Sequence, residues 1–291
     1  MFTRSFDLVR LLRPKQWVKN AFVCAGVFFG ARLHDTHLVT AMALVFVAFC
    51  LISSCVYVFN DYLDRESDRQ HPTKRNRPLA SGAVTPARGL VIAAACLGLS
   101  LTAAWSADPR ALVVILVYLA VNTAYSLRLK HQAVIDVFCI ASGFMLRIFA
   151  GTWGIRITPS GWLLLTGMFI TLFLGFAKRR AEWADAASGH RRRPVLKLYS
   201  RELLDTFLSI TATGTVLSFG LYTLDPQTIA LHHTDKLIFT LPFVLFGLFR
   251  YLFILHNGEK GENPSADVFT DYQILLCGLA FSGTTLWLLN R

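Results

Sequence analysis

Three aspartates and an asparagine carry the first chemical signal in this chain. The segment FNDYLDRESDRQHPTKRNRPLASG holds Asn60, Asp61, Asp64 and Asp68 in the pattern N-D-x-x-D-x-x-x-D. On a helix, Asp61, Asp64 and Asp68 fall at i, i+3 and i+7, and Asn60, Asp64 and Asp68 at i, i+4 and i+8, so the acids share one face. Carboxylates packed this way repel one another. A hard divalent cation relieves that repulsion, and Mg²⁺ commonly joins one or two carboxylates to substrate phosphates. The competing reading is a solvated acidic face offset by nearby arginines.

Directly downstream come Arg69, His71, Lys74, Arg75 and Arg77. The planar fork of arginine makes two parallel hydrogen bonds to phosphate. An acidic patch beside a basic cluster suits a diphosphate ester: a metal neutralises the leaving group, and the cations hold other phosphates. Positive charge beside a membrane span also arises from topology alone. Topology does not explain the order of acids first and then HPTKRNRP.

Other polar residues stand out against apolar surroundings. Lys19 and Asn20, in RPKQWVKN, are placed to reach a lipid phosphate near the membrane surface, although Trp and Lys also serve as plain interfacial anchors. Tyr125 and Lys130 flank a short connector, and Asp136 follows a few residues into the next apolar stretch. An ionisable residue there is a functional candidate, or pairs with Lys130 or Arg128. Lys178, Arg179 and Glu182 close another stretch, where helix-end snorkelling competes with phosphate binding. Arg250 lies just before the inner end of a later one. Arg147 lies about 14 residues into its span, roughly 21 Å along a helix, nearer the outer face, and reads as structural or snorkelling. Glu259 and Glu262 receive no chemical role.

The elements that position these residues are membrane helices. The 291 residues are 54% hydrophobic and 16% charged, with a net charge of +11 and a mean hydropathy of +0.48. Soluble domains carry roughly 25% charged residues, so an ordinary soluble protein is excluded, as are a disordered chain and a single-span anchor. At about 20 apolar residues per crossing, the pattern predicts nine spans in one domain: 18–33, 38–59, 88–106, 110–127, 133–154, 160–177, 204–224, 236–256 and 272–290. The N-terminus and the connectors on its side hold 22 of the 29 Lys and Arg residues, and the other side five. That asymmetry puts the N-terminus and the long connectors 60–87, 178–203 and 257–271 in the cytoplasm, and nine spans put the C-terminus outside. Phe2, Phe6, Val9 and Leu12 repeat at helical spacing with Arg4 and Arg10 between them, which suggests a helix on the membrane surface rather than a removable signal peptide. The six cysteines all lie in apolar runs and form no C-x-x-C, so they read as small buried hydrophobes.

The first connector resembles the signature of the UbiA superfamily of intramembrane prenyltransferases. RPKQWVKN at 13–20, HPTKRNRP at 71–78, YSLRLKHQAVIDV at 125–137, GFMLRIFAG at 143–151, KRRAE at 178–182 and RYLFILHNGEKGENPS at 250–265 are similar to the decaprenyl-phosphate phosphoribosyltransferase branch. The resemblance covers nearly the whole chain. It implies an all-α bundle of nine transmembrane helices in the inner membrane, with a cytoplasm-facing cavity. It further implies 5-phosphoribosyl 1-diphosphate as donor, a polyprenyl phosphate as acceptor, and Mg²⁺ held by Asp61, Asp64 and Asp68 with Asn60 nearby. Membrane lipid and these two anions are then the partners, nucleic acid is not one, and a homo-oligomer is left open. Aromatic prenyltransferases of the superfamily carry a second D-x-x-x-D, where this chain has only Glu182 and Asp185 among basic residues. That departure favours Lys178 and Arg179 gripping phosphate directly. Two alternatives are prenyl transfer to an aromatic acceptor and, in another class, a lipid-phosphate transporter. No internal repeat supports the transporter.

Overall fold

The computed structural model describes residues 2–30, 32–70, 74–187, 194–257 and 271–289, and every regular element among them is a helix. They are α1 (Phe2–Leu12), α2 (Ala25–Phe29), α3 (Thr36–Leu63), α4 (Arg65–Arg69), α5 (Pro86–Ala107), α6 (Pro109–Leu127), α7 (Ile135–Ala150), α8 (Gly161–Ala187), α9 (Arg201–Leu224), α10 (Pro226–His232), α11 (Leu241–His256) and α12 (Tyr272–Leu289). Short 3-10 helices join several of them, and a longer one, Pro14–Cys24, links α1 to α2. Local chemistry sets the starts. Asp35 accepts the His37 and Leu38 N–H groups at 3.1 Å ahead of α3. Ser200 accepts the Leu203 N–H at 3.1 Å ahead of α9, and prolines open α5, α6 and α10.

Eight helices among the described residues are long and apolar enough to cross a membrane. They match the last eight expected spans within a few residues, except that the one expected at 160–177 runs on to Ala184. The first expected span, 18–33, is the exception: instead of one long α-helix it is the 3-10 helix Pro14–Cys24 followed by the five-residue α2. The chain packs unusually closely here. A methyl group on Gly26 would collide with the Gly151 carbonyl, and one on Gly151 with the Val23 carbonyl. Two backbones in contact leave no room for ordinary side chains at their crossing.

The chain packs as two compact units, 1–127 with 146–158, and 128–145 with 159–291. In the first, Val45, Ala48, Phe49 and Ile52 of α3 are fully buried at helical spacing. They pack with Ala93 and Cys96 of α5 and with Val114, Ile115 and Tyr118 of α6. In the second, Leu172, Phe173, Phe176 and Ala177 of α8 pack with Leu204 and Leu208 of α9 and with Leu248 and Leu255 of α11. Leu99, Leu217, Phe249 and Leu279 stay exposed, as a lipid-facing surface requires. Lipid tails are as apolar as leucine, so close small-residue packing and interhelical hydrogen bonds hold such helices together. Ser100 Oγ donating to the Ala48 carbonyl at 2.8 Å and Trp17 Nε1 donating to Ser54 Oγ at 3.0 Å are bonds of this kind.

Candidate functional site

The acidic motif sits where α3 ends and α4 begins. The Asp64 N–H reaches the Asn60 carbonyl at 2.9 Å, and the Asp68 N–H reaches the Asp64 carbonyl at 2.9 Å. Helical bonding therefore runs through the turn at Asp64. Asp61 and Asp68 are buried, at 2% and 3% exposure; Asp64 is half-buried.

Arginines, rather than mutual repulsion, govern the acids. Arg77 Nη1 donates to Asp61 Oδ1 at 3.0 Å and to Asp68 Oδ2 at 2.6 Å, bridging the first and third acids. Arg13 Nη2 donates to the same Asp61 oxygen at 2.6 Å and lies over the Tyr57 ring. Both guanidiniums remain about a quarter exposed. Arginines do offset these acids, but Asp61 and Asp68 are buried rather than solvated. Asn60 Oδ1 lies 2.6 Å from the Ser126 hydroxyl, which fixes its amide at the end of α6.

The rest of the basic cluster divides. Arg69 bonds Glu66 at 3.0 Å and the Ala80 carbonyl at 3.1 Å, and Arg65 and Arg69 hold the Glu66 carboxyl below its ordinary range. Lys74 and Tyr125 are half-buried and Arg75 is exposed. His71, Asp185, Glu259 and Glu262 lie outside the residues whose side chains are described. Asn20 was expected near the surface but is fully buried. Its amide donates to Cys50 Sγ at 3.2 Å and its oxygen accepts from Arg147 Nε at 2.7 Å. Arg147 therefore does not snorkel outward; it is 5% exposed within the first unit. Lys19 is half-buried.

The second unit holds its own buried network. Asp136 is fully buried and accepts from Arg179 Nε at 2.5 Å and from the Tyr199 hydroxyl at 2.9 Å. It does not pair with Lys130 or Arg128. Arg179 is also fully buried and donates in addition to Glu182. With the Asp136 and Glu182 carboxylates both on it, the Arg179 charge is committed to them in this conformation, which corrects the reading of Arg179 as a phosphate grip. Burial first, and then the neighbouring Asp136 carboxylate, push the Tyr199 hydroxyl up to about 12. Arg180 pairs with Asp205 at 2.8 Å and Arg250 with Asp271 at 2.9 Å. Lys130 and Lys178 are half-buried.

Sequence reasoning missed Arg13 as the partner of Asp61, Ser126 as that of Asn60 and Tyr199 as that of Asp136. Arg13 alone carried a signal, because it opens RPKQWVKN beside the Lys19–Asn20 pair that was singled out.

Among the described residues, no three His, Cys, Asp or Glu side chains are gathered to hold a metal ion by themselves. The oxygens of Asp61, Asp64, Asp68 and Asn60 are nonetheless the hard donors that Mg²⁺ takes, and a site shared with substrate phosphates needs only one or two carboxylates. The donor chemistry fits a cation that arrives with its substrate.

Against known proteins, the model of the UbiA prenyltransferase family matches residues 20–271. The chain belongs to this family. It is 33% identical over 293 residues to the decaprenyl-phosphate phosphoribosyltransferase of Mycolicibacterium smegmatis, covering 95% of this chain and 90% of that one. It is 34% identical over 282 residues to the protein of that name in Mycobacterium tuberculosis, covering 95% and 92%. The solved UbiA homolog from Archaeoglobus fulgidus bound to GPP and Mg²⁺ superposes with a TM-score of 0.70 at 19% identity, covering 98% of this chain and all of that one. That likeness shows the shared family fold.

Proposed function

We propose that this membrane protein transfers 5-phosphoribose from 5-phosphoribosyl 1-diphosphate to a polyprenyl phosphate and releases diphosphate. The carrying observation is the acid–arginine centre: Asp61 and Asp68, backed by Arg13 and Arg77, in a chain whose curated relatives bear the name of that reaction.

The centre is built for an anionic, metal-bearing donor. Asp61, Asp64 and Asp68, with Asn60, would hold Mg²⁺, which supplies charge neutralisation at the departing diphosphate. Arg13 and Arg77 orient the acids, and turn toward phosphate oxygens when substrate arrives. Arg69, Lys74, Arg75 and Lys19 add positive charge to the same unit, Tyr125 a hydroxyl, and His71 is a further candidate contact. In the second unit Lys130, Lys178 and Arg250 are candidate phosphate contacts, while Asp136, Arg179 and Glu182 hold their helices in register. The lipid phosphate oxygen attacks the ribose anomeric carbon as the diphosphate leaves with the bonding pair. A phosphate monoester is already ionised at pH 7, so no strong general base is needed. The protein's part is positioning and electrostatic stabilisation.

The lysine and arginine asymmetry supports an N-terminus and site facing the cytoplasm. In this reading the segment 14–29 is a ninth crossing that leaves the C-terminus outside. At rises of about 2.0 Å in 3-10 and 1.5 Å in α-helix, it extends roughly 30 Å, the thickness of a bilayer core.

The test is purified protein in detergent with Mg²⁺, labelled phosphoribosyl diphosphate and polyprenyl phosphate. Formation of phosphoribosyl lipid is the expected result. No such product, with turnover of a prenyl diphosphate and an aromatic acid instead, overturns the proposal in favour of prenyl transfer.

A further inference from the structure

A buried cation lies deep in the first unit, beyond the aspartates. Arg147, 5% exposed, donates from Nε to Asn20 Oδ1 at 2.7 Å and from Nη2 to the Tyr118 hydroxyl at 3.2 Å. Its guanidinium carbon stands 4.9 Å from the centre of the Tyr118 ring and 5.3 Å from that of Phe49. Tyr118 is midway along α6, between Pro109 and Leu127, so the guanidinium sits near mid-depth of that helix. A charge so placed is costly in a membrane protein and is by default a functional candidate.

The surroundings of Arg147 suit an incoming anion. Tyr118 is 5% exposed. It accepts from Arg147, yet its own hydroxyl proton meets no acceptor among the described residues. Lys19, adjacent to Asn20, lies in the field of both Arg147 and Arg13, and Tyr57 in the field of Arg147, Arg13 and Asp61. Lys19 and Tyr57 are only half-buried, so they mark the approach. A polar column thus runs within one unit from Asp68 and Asp61 through Arg13 and Lys19 to Arg147. It contains Arg13, Lys19, Arg77 and Arg147 against the three aspartates of the motif, and so retains a positive surplus. A prenyl diphosphate continues beyond its diphosphate as hydrocarbon, for which a buried guanidinium is a poor neighbour. A substrate with a second phosphate matches it.

We propose that Arg147, with Tyr118, Asn20 and Lys19, binds a phosphate monoester group of the substrates, apart from the diphosphate held at the aspartates. This rests on the phosphoribosyl-transfer reading and deepens it. The group is either the 5-phosphate of the donor or the phosphate of the lipid acceptor, whose chemistry is the same.

Steady-state kinetics of Arg147→Met, Arg147→Lys and Tyr118→Phe, with thermal unfolding in detergent as the folding control, decide the matter. Arg147→Met should raise the KM for one substrate by about ten- to a hundredfold with kcat largely kept, and Arg147→Lys should recover part of it. Tyr118→Phe, which removes one hydroxyl and keeps the ring, should raise the same KM several-fold even if Arg147→Met fails to fold. A rise for the donor, with loss of competition by ribose 5-phosphate, assigns the donor's 5-phosphate; a rise for the lipid alone assigns the acceptor. Unchanged KM values for both substrates in folded variants overturn the proposal while the function stands. Absence of phosphoribosyl lipid with the unaltered protein overturns the function itself.

Discussion

Arg13 donates to Asp61 across 2.6 Å from a backbone that its own sequence resists. Its φ and ψ are 53° and 56°, the left-handed region, and the residue is followed by Pro14, which disfavours compact conformations before it. Such strain costs on the order of 1–3 kcal/mol and persists where surrounding contacts fix it. Here the fixing contacts are the Asp61 carboxylate and the Tyr57 ring. Arg13→Met keeps the strain and loses the anchor, whereas Arg13→Gly loses both. Phosphoribosyl transfer should fall roughly 100-fold in either variant, but the melting temperature should drop further in Arg13→Met. Equal melting temperatures would mean that the backbone stores no strain there.

Asp68→Ala and Asp64→Ala are both expected to abolish Mg²⁺-dependent turnover, as is chelation of the metal with EDTA. Asp68→Ala also strips Arg77 of its 2.6 Å partner, leaving a mostly buried guanidinium with Asp61 alone, so it should cost stability of about 1–3 kcal/mol. Full Mg²⁺-dependent activity in either variant removes that residue from the metal set.

What the sequence made legible depended on how local the cause was. The last eight spans were readable because apolar length is a local property. The first span was misjudged where its packing is not local: Gly151, more than a hundred residues away, presses on Gly26 and Val23. The partners of the acids escaped for the same reason. Arg13 is 48 residues from Asp61 and Arg179 is 43 from Asp136, and a count of charges on one face cannot say which arginine closes on which carboxylate. Arg147 shows the limit most plainly, since its distance along a helix gave its depth but not the Asn20 and Tyr118 side chains waiting there.

The crossing of Gly26 and Gly151 makes a steric prediction. Gly26→Ala or Gly151→Ala puts a methyl group into opposing backbone, which must move because no rotamer can relieve it. Each variant should lose detergent-stable folded protein, read as a lower melting temperature and earlier elution as aggregate. Gly98→Ala on α5, whose added methyl would meet nothing within 4 Å, should melt at or slightly above the unaltered protein, because alanine favours helix by about 1 kcal/mol. If all three behave alike, close packing at the crossing is not what shapes the first segment.

Tyr199 gives the second unit a pH signature. Its hydroxyl accepts the Val134 N–H at 2.5 Å and donates to Asp136 at 2.9 Å, and Val134 itself is held at a φ of 67°, an outlier for a β-branched residue. The folded protein raises this phenol from an ordinary value near 10 to about 12. A raised folded value means that the neutral form is favoured in the folded state. The stabilisation is fully present below pH about 10 and fades as pH rises toward about 12. Tyr199→Phe lacks the titrating group, so its melting temperature should lie below that of the unaltered protein at pH 8, and the gap should narrow as pH climbs through that window. Asp136→Ala should be more damaging at every pH, by about 3–5 kcal/mol, because it leaves Arg179 buried with a single carboxylate of the pair. A gap for Tyr199→Phe that stays constant up to pH 12 would show that the phenol ionises no differently in the folded and unfolded chains.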